Sequence, residues 1–184
     1  MKIGIFGGSF NPPHQMHINI ARDALNMVDK VIFVPVGNAY QKDELIAIED
    51  RVQMLKLCLE DRMEVSTIED KNSQVYTYQT LRYFKEKYSN DQIYFICGSD
   101  NIKEIWTWKH ASSFIPDTHF LVLLRNQDTK EEVKQIVPHV EFLSINSNSL
   151  SSTKIRKSLQ QEDYSGLPMG VKEYIKMNHL YQNG

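Results

Sequence analysis

The chain is poor in cysteine, in long apolar runs and in any excess of charge, and each shortage closes a class of readings. Only Cys58 and Cys97 occur among 184 residues. They are far apart and each lies in an apolar stretch, which points to buried reduced thiols and argues against a disulfide scaffold or a thiolate zinc site. Hydrophobic runs are strand-sized, so no membrane span is indicated. The first residues carry one lysine and a short strand broken by glycines, without the apolar core of a secretory signal, and the cytoplasm is the expected compartment. Formal charge is -2, from 21 lysines and arginines against 23 aspartates and glutamates. That balance gives no global reason to bind nucleic acid, and a local basic pocket would suit a small polyanion. There is no internal repeat, low-complexity tract or Pro/Gly/Ser-rich linker, so a solenoid is excluded and residues 1–184 read as a single domain. Nothing in the sequence speaks against a homo-oligomer.

What remains is an ordinary globular composition, 41% hydrophobic and 24% charged, in which β-rich runs alternate with helix-period segments. Strands are expected at 2–6, 31–36, 63–68, 92–97, 119–124 and 140–143. Helices are expected through 18–28, 49–60, 77–88, 129–137, 153–159 and 171–177, the last two closing the chain. Such alternation predicts an α/β fold, a parallel sheet with helices on both faces and ligands above the carboxyl ends of its strands.

Two segments carry chemistry. After the first strand comes Gly7-Gly8-Ser9-Phe10-Asn11-Pro12-Pro13-His14-Gln15-Met16-His17. Adjacent glycines allow close backbone approach, and the orphan N–H groups of a helix start attract anionic oxygens. His14 and His17, three apart, share a helix face and are placed to donate to one triphosphate. The glycines do not match the dinucleotide fingerprint, and no Walker lysine follows. A lone glycine pair is as often a plain turn, and the two histidines alone would also suit a metal, but no third ligand lies nearby in sequence. The second segment is Ser149-Leu150-Ser151-Ser152-Thr153-Lys154-Ile155-Arg156. A hydroxyl cluster before an amphipathic run caps a helix, and a guanidinium in its first turn is suited to clamp a phosphate. Gly98-Ser99-Asp100 at a strand's carboxyl end is a third candidate ligand position, Asp100 otherwise capping a helix over 101–106.

Gly8 to His17 resembles the G-S/T-F-D/N-P-x-H-x-G-H motif of the nucleotidyltransferase superfamily, and Ser151 to Arg156 resembles its S-S-T-x-I-R motif. Within it the chain is most similar, over nearly its whole length, to bacterial nicotinate mononucleotide adenylyltransferases. The family's P-x-G-N-P-P-H-K loop is echoed in Val34 to Asn38 with Lys42, its R-x-x-M-L helix start in Arg51 to Leu55, its Y-T-x-x-T-L segment in Tyr76 to Leu81, and its G-x-D and tryptophan in Gly98 to Asp100 and Trp108. Its V-x-x-Y-I and L-Y endings match Val171 to Ile175 and Leu180-Tyr181. The chain departs from the pattern at Met16, which replaces glycine, at Lys109, which replaces the tyrosine after the tryptophan, and at Ala39-Tyr40-Gln41, which replaces Pro-Pro-His.

The resemblance implies a Rossmann-like nucleotidyltransferase fold and adenylyl transfer from ATP to nicotinate mononucleotide, giving deamido-NAD and pyrophosphate in NAD biosynthesis. It implies that His14, His17 and Arg156 are catalytic and that Gly7, Gly8, Ser9, Phe10, Gly98, Asp100, Ser152 and Thr153 bind ATP. Lys42, Tyr76, Thr77 and Trp108 would bind the nicotinate nucleotide, Trp108 by stacking on the pyridine ring or else by packing with Trp106 and Phe114. Magnesium would arrive on ATP, with no protein metal site. Other readings stay open: a related transferase with another acceptor, such as nicotinamide mononucleotide or phosphopantetheine, and a nucleotide-binding protein whose transfer geometry Met16 has impaired.

Overall fold

The computed structural model describes residues 1–38, 44–71, 76–125, 127–147 and 150–182. Six strands, β1 (Lys2–Gly8), β2 (Lys30–Pro35), β3 (Met63–Val65), β4 (Gln92–Gly98), β5 (His119–Leu123) and β6 (Val140–Phe142), form one parallel sheet in the order β3-β2-β1-β4-β5-β6. The helices are α1 (Gln15–Ala24), α2 (Ile48–Lys56), α3 (Ile68–Lys71), α4 (Thr77–Lys87), α5 (Ser99–Glu104), α6 (Ala111–Phe114), α7 (Lys130–Ile136), α8 (Ser152–Leu159) and α9 (Met169–Met177), with 3-10 turns at Ile105–Thr107 and Ile115–Asp117. Among the described residues no helix is long and apolar enough to cross a membrane.

The strands alternate their side chains between two cores. Ile3, Ile5, Ile32, Val34, Phe95, Phe120 and Val122 meet Leu81, Phe84 and Phe114 on one face. Phe6, Val31, Phe33, Ile96, Leu121 and Leu123 meet Ile18, Ala21 and Ala24 of α1 on the other. Both faces are therefore covered, which is why β2 and β4 read as near-continuous apolar runs. A third cluster, Met54 with Ile155, Leu159, Val171 and Ile175, seats α8 and α9 against α2.

From β1 the chain builds outward through β2 to β3, then returns to lay β4 on the other side of β1. The crevice between the carboxyl ends of β1 and β4 is thus the switch point of the sheet, where ligands of such folds sit. Register deepens it. Phe6 opposite Ile96 is the last β1–β4 pair, whereas Gly7 and Gly8 stay paired with Val34 and Pro35 of β2. The glycines expected as a turn are therefore strand, bonded on one side and open to the crevice on the other.

Two other expectations are corrected. The alternation at Met63–Ile68 ends early, because the Thr67 carbonyl accepts from Asp70 and Lys71 and turns the chain into α3. Residues 99–117, where the sequence offers only a ligand turn or a helix over 101–106, form α5, α6 and both 3-10 turns, anchored by buried Ile102, Ile105, Phe114 and Ile115.

Candidate active site

The loop after β1 is clamped from three distant parts of the chain. Its Phe10, at φ 46, is 1% exposed and packs edge-on against Phe6 and Phe33, with ring centroids 5.4 Å away in each case. The Asn11–Pro12 peptide is cis. Arg51 of α2, fully buried, donates from Nη1 to the Ser9 carbonyl and from Nε to the Ile46 carbonyl, both at 2.9 Å. From α8, Ser152 Oγ donates to the Pro12 carbonyl at 3.0 Å and Arg156 Nη1 to the Asn11 carbonyl at 2.8 Å. Tyr181, beyond α9, donates its hydroxyl to Asn11 Oδ1 at 2.8 Å. These bonds bring the two segments singled out in the sequence together: the second holds the first by its backbone.

His14 is the N-cap of α1, in extended conformation, and His17 is the third residue of the helix. The His14 backbone N–H donates to His17 Nδ1 at 3.1 Å. That bond occupies the Nδ1 lone pair, so the neutral His17 ring carries its proton on Nε2 and presents a donor. The two rings stack with centroids 3.7 Å apart and planes 23° apart. Burial, reinforced by the Arg125 charge, lowers the His14 pKa to about 4. Burial first, then His14 and Arg125, hold His17 well below the ordinary histidine range. Both rings are neutral donors at pH 7, set at the positive end of a helix. Met16 is 6% exposed and joins Phe6 and Phe10 in the core beneath α1.

At the end of β4, Gly98 caps α5, and a Cβ there would collide with Asp100 and Arg125. Helix α5 starts at Ser99, so Asp100 lies in its first turn and is not the cap. Its Oδ1 stands 3.0 Å from Arg125 Nε. Arg125 follows β5; its backbone N–H donates to Ser99 Oγ at 2.9 Å, and Ser99 Oγ donates to Asp128 Oδ2 at 2.6 Å. Arg125 escaped the sequence reading, although a basic residue just past a strand's carboxyl end is a usable signal in a parallel sheet.

Between β1, β4 and the start of α4 opens a cavity of about 540 Å³, whose lining includes Gly7, Gly8, Ser9, Thr77 and Trp108. Trp108 meets Phe95 edge-on at 6.5 Å, while Trp106 turns away and donates Nε1–H to the Ile136 carbonyl at 2.8 Å. Tyr76 caps α4 and Thr77 is its first helical residue, so capping does not account for the Thr77 hydroxyl. Glu69 also lines this cavity. It is 9% exposed, accepts the Thr80 hydroxyl at 2.7 Å and is pushed up to about 7 by burial. Sequence reading passed over it within a polar stretch.

On α8 the N-cap is Ser151, which accepts the Lys154 N–H at 3.3 Å. Thr153 is exposed beside it, and Arg156 Nε also reaches Glu44 Oε2 at 3.0 Å. The arrangement offers neutral imidazole donors, a guanidinium and helix starts on one side of the crevice, and a half-apolar, aromatic-walled cavity on the other. Lys42 lies outside the described residues. Among them no three His, Cys, Asp or Glu gather as a metal site.

Comparison with known proteins fits this arrangement. A family model described as cytidylyltransferase-like matches residues 5–158. Among curated proteins, a probable nicotinate-nucleotide adenylyltransferase of Endomicrobium trichonymphae is 38% identical over 98% of this chain and 99% of its own length. That of Caldicellulosiruptor bescii is 36% identical over 99% of this chain and 100% of its own. In fold, Plasmodium falciparum nicotinic acid mononucleotide adenylyltransferase complexed with NaAD superposes with a TM-score of 0.81 at 23% identity, covering 98% of this chain and 97% of that one. A clamped loop carrying two histidines, beside an aromatic-walled cavity at the switch point of a parallel sheet, is thus found in a chain that belongs to the cytidylyltransferase-like family and, within it, to the nicotinate-nucleotide adenylyltransferases.

Proposed function

We infer that this chain transfers the adenylyl group of ATP to nicotinate mononucleotide, releasing pyrophosphate and forming the deamido dinucleotide. The observation that carries this reading is the split at the end of β1. Gly7 and Gly8 line the Trp108 cavity, and a few residues further on the same loop delivers the His14–His17 pair. Two substrates laid on either side of that loop bring their reacting groups together over one backbone.

The acceptor's phosphate oxygen attacks the α-phosphorus in line; one P–O bond forms as the bond to the pyrophosphate oxygen breaks. The attacking oxygen is already anionic, so no protein nucleophile or general base is required, and positioning and charge stabilisation supply the catalysis. Both histidines donate as neutral rings, which suits hydrogen bonding to phosphate oxygens. His17 Nε2–H is our choice for the group that bonds most strongly as charge builds on the transferring and leaving phosphates. Gly7, Gly8, Ser9 and Phe10 offer backbone to ATP, and Ser152, Thr153 and Arg156 flank its phosphates from α8. Gly98 and Asp100 meet the ribose, with Arg125 paired to Asp100. Magnesium enters as MgATP and is carried by phosphate oxygens and water. In the cavity Trp108 stacks on the pyridine ring, with Tyr76 and Thr77 at its edge, and Lys42 is a further candidate for binding the nicotinate nucleotide. We place the reaction in the cytoplasm, where the free thiols of Cys58 and Cys97 stay reduced, within one domain spanning the chain.

The impaired-transfer reading loses its motive, because Met16 fills the core under α1. The test is pyrophosphate release by the purified chain with MgATP and, separately, nicotinate mononucleotide, nicotinamide mononucleotide and phosphopantetheine. Turnover on nicotinate mononucleotide well above the others is expected. Turnover on another acceptor alone would overturn the reading.

A further inference from the structure

We propose that Lys109 selects the acid over the amide form of the pyridine acceptor, its ammonium facing the ring carboxylate. The assignment rests on the adenylyl-transfer reading and adds the residue that sets acceptor identity. Nicotinate and nicotinamide nucleotides have nearly the same shape and differ by one negative charge, so a cavity separates them chiefly by electrostatics. The charges on this cavity are few. Glu69 and Glu104 line it, and among the described residues Lys109 is its one cation. Two carboxyl groups by themselves would repel an anionic ring substituent. Among the described residues, then, the positive charge that offsets these carboxyl groups comes from Lys109.

Its position fits the part. It follows Trp108, the wall against which the ring stacks, and its Nζ stands 4.5 Å from the centroid of the Tyr76 ring. Tyr76 is the N-cap of α4, an 11-residue helix whose start is not capped by a side chain and whose first turn holds no acidic residue. The ammonium and the uncompensated positive end of α4 thus converge on one corner of the cavity. Burial keeps Glu69 protonated to higher pH than an ordinary carboxyl, up to about 7, which removes part of the opposing charge. With an exposed charge at this corner, acceptor recognition should depend on salt accordingly.

The experiment compares kcat/KM for nicotinate and nicotinamide mononucleotides, at low and high ionic strength, in the unsubstituted chain and in Lys109→Gln, Lys109→Arg and Lys109→Tyr. Thermal unfolding is measured alongside. Lys109→Gln is expected to lower kcat/KM for the acid roughly tenfold, mainly through KM, to leave the amide within about twofold, and to flatten the salt dependence. Lys109→Arg should retain the acid preference, and KM for ATP and the unfolding midpoint should not move. Equal loss on both acceptors, or an unchanged acid-to-amide ratio in Lys109→Gln, would overturn the assignment. No turnover of either pyridine nucleotide by the unsubstituted chain would overturn the adenylyl-transfer reading and this assignment with it.

Discussion

The two sides of the β1–β4 crevice are built from different materials. On the histidine side the working parts are backbone and packed rings: the Ser9, Asn11 and Pro12 carbonyls are held by Arg51, Arg156 and Ser152, and His14 is 4% exposed. On the cavity side they are side chains from separate segments, with Tyr76 at 40% exposure and Lys109 exposed at the rim. The groups we assign to phosphate are held in fixed geometry by these bonds. The chain departs from its family's pattern on both sides, but the change at Lys109 sits exposed at the cavity rim, whereas the change at Met16 is buried beneath α1.

The sharpest test of the rigid side is His17→Ala. Losing a preorganised donor from the proposed phosphate site should lower kcat by two or more orders of magnitude, roughly 3–4 kcal/mol. The unfolding midpoint should change little, and pyrophosphate release with a parallel melt checks both. Near-normal turnover would remove His17 from its role. Arg51→Ala attacks the same side through its scaffold. It removes a donor from the Ser9 and Ile46 carbonyls and opens a hole, and denaturant unfolding should show a loss of about 2–4 kcal/mol. A loss confined to activity would mean that the loop holds without its clamp.

Much of the fold was legible because strands covered on both faces leave apolar runs such as Val31–Val34 and Ile93–Cys97. The starts of α1 and α8 were legible because helix caps and the turn before them have a composition of their own. What was not legible depends on pairing across the sheet. Gly7-Gly8 reads locally as a turn, and only the β2 register makes it strand. Arg125 gains its place because β5 lies beside β4, a neighbour relation no local pattern encodes. Helices of three to six residues, such as those between Ser99 and Asp117, are too short for periodicity to reveal. Arg51 could be matched as a helix start, but nothing in its own segment says that its guanidinium reaches Ser9.

The two sides also respond oppositely to pH. His14 falls from 6.5 to about 4 in the folded chain, so the unfolded chain takes the proton first and stability is lost as pH drops through that window. His17 acts in the same direction. Glu69 rises from 4.5 to about 7, so the folded chain holds the proton longer and stability is lost as pH climbs through that range. Each effect is on the order of 3 kcal/mol, and they oppose one another where the windows overlap. Glu69→Gln keeps an acceptor for Thr80 and removes one slope. Unfolding free energy measured between pH 4.5 and 6.5 should then rise more steeply with pH than in the unsubstituted chain. Parallel curves would show that burial of Glu69 does not shift its titration.

The smallest effect probes a contact that joins the phosphate side to the chain just before α2. Arg156 Nε reaches Glu44, whose side chain is 66% exposed, while Nη1 holds the Asn11 carbonyl. A guanidinium assigned to ATP phosphates is therefore shared with a carboxylate of the same chain. If Glu44 competes with phosphate, Glu44→Gln lowers KM for ATP, and because exposed ion pairs are weak the change is only about two- to threefold. If Glu44 is instead a strut that aims the guanidinium, the same substitution raises KM. The competing role predicts the decrease, since the Asn11 carbonyl alone already fixes the direction of the Arg156 side chain. Steady-state ATP titration at saturating acceptor reads the sign directly, and an increase would turn Glu44 from a competitor into part of the site's frame.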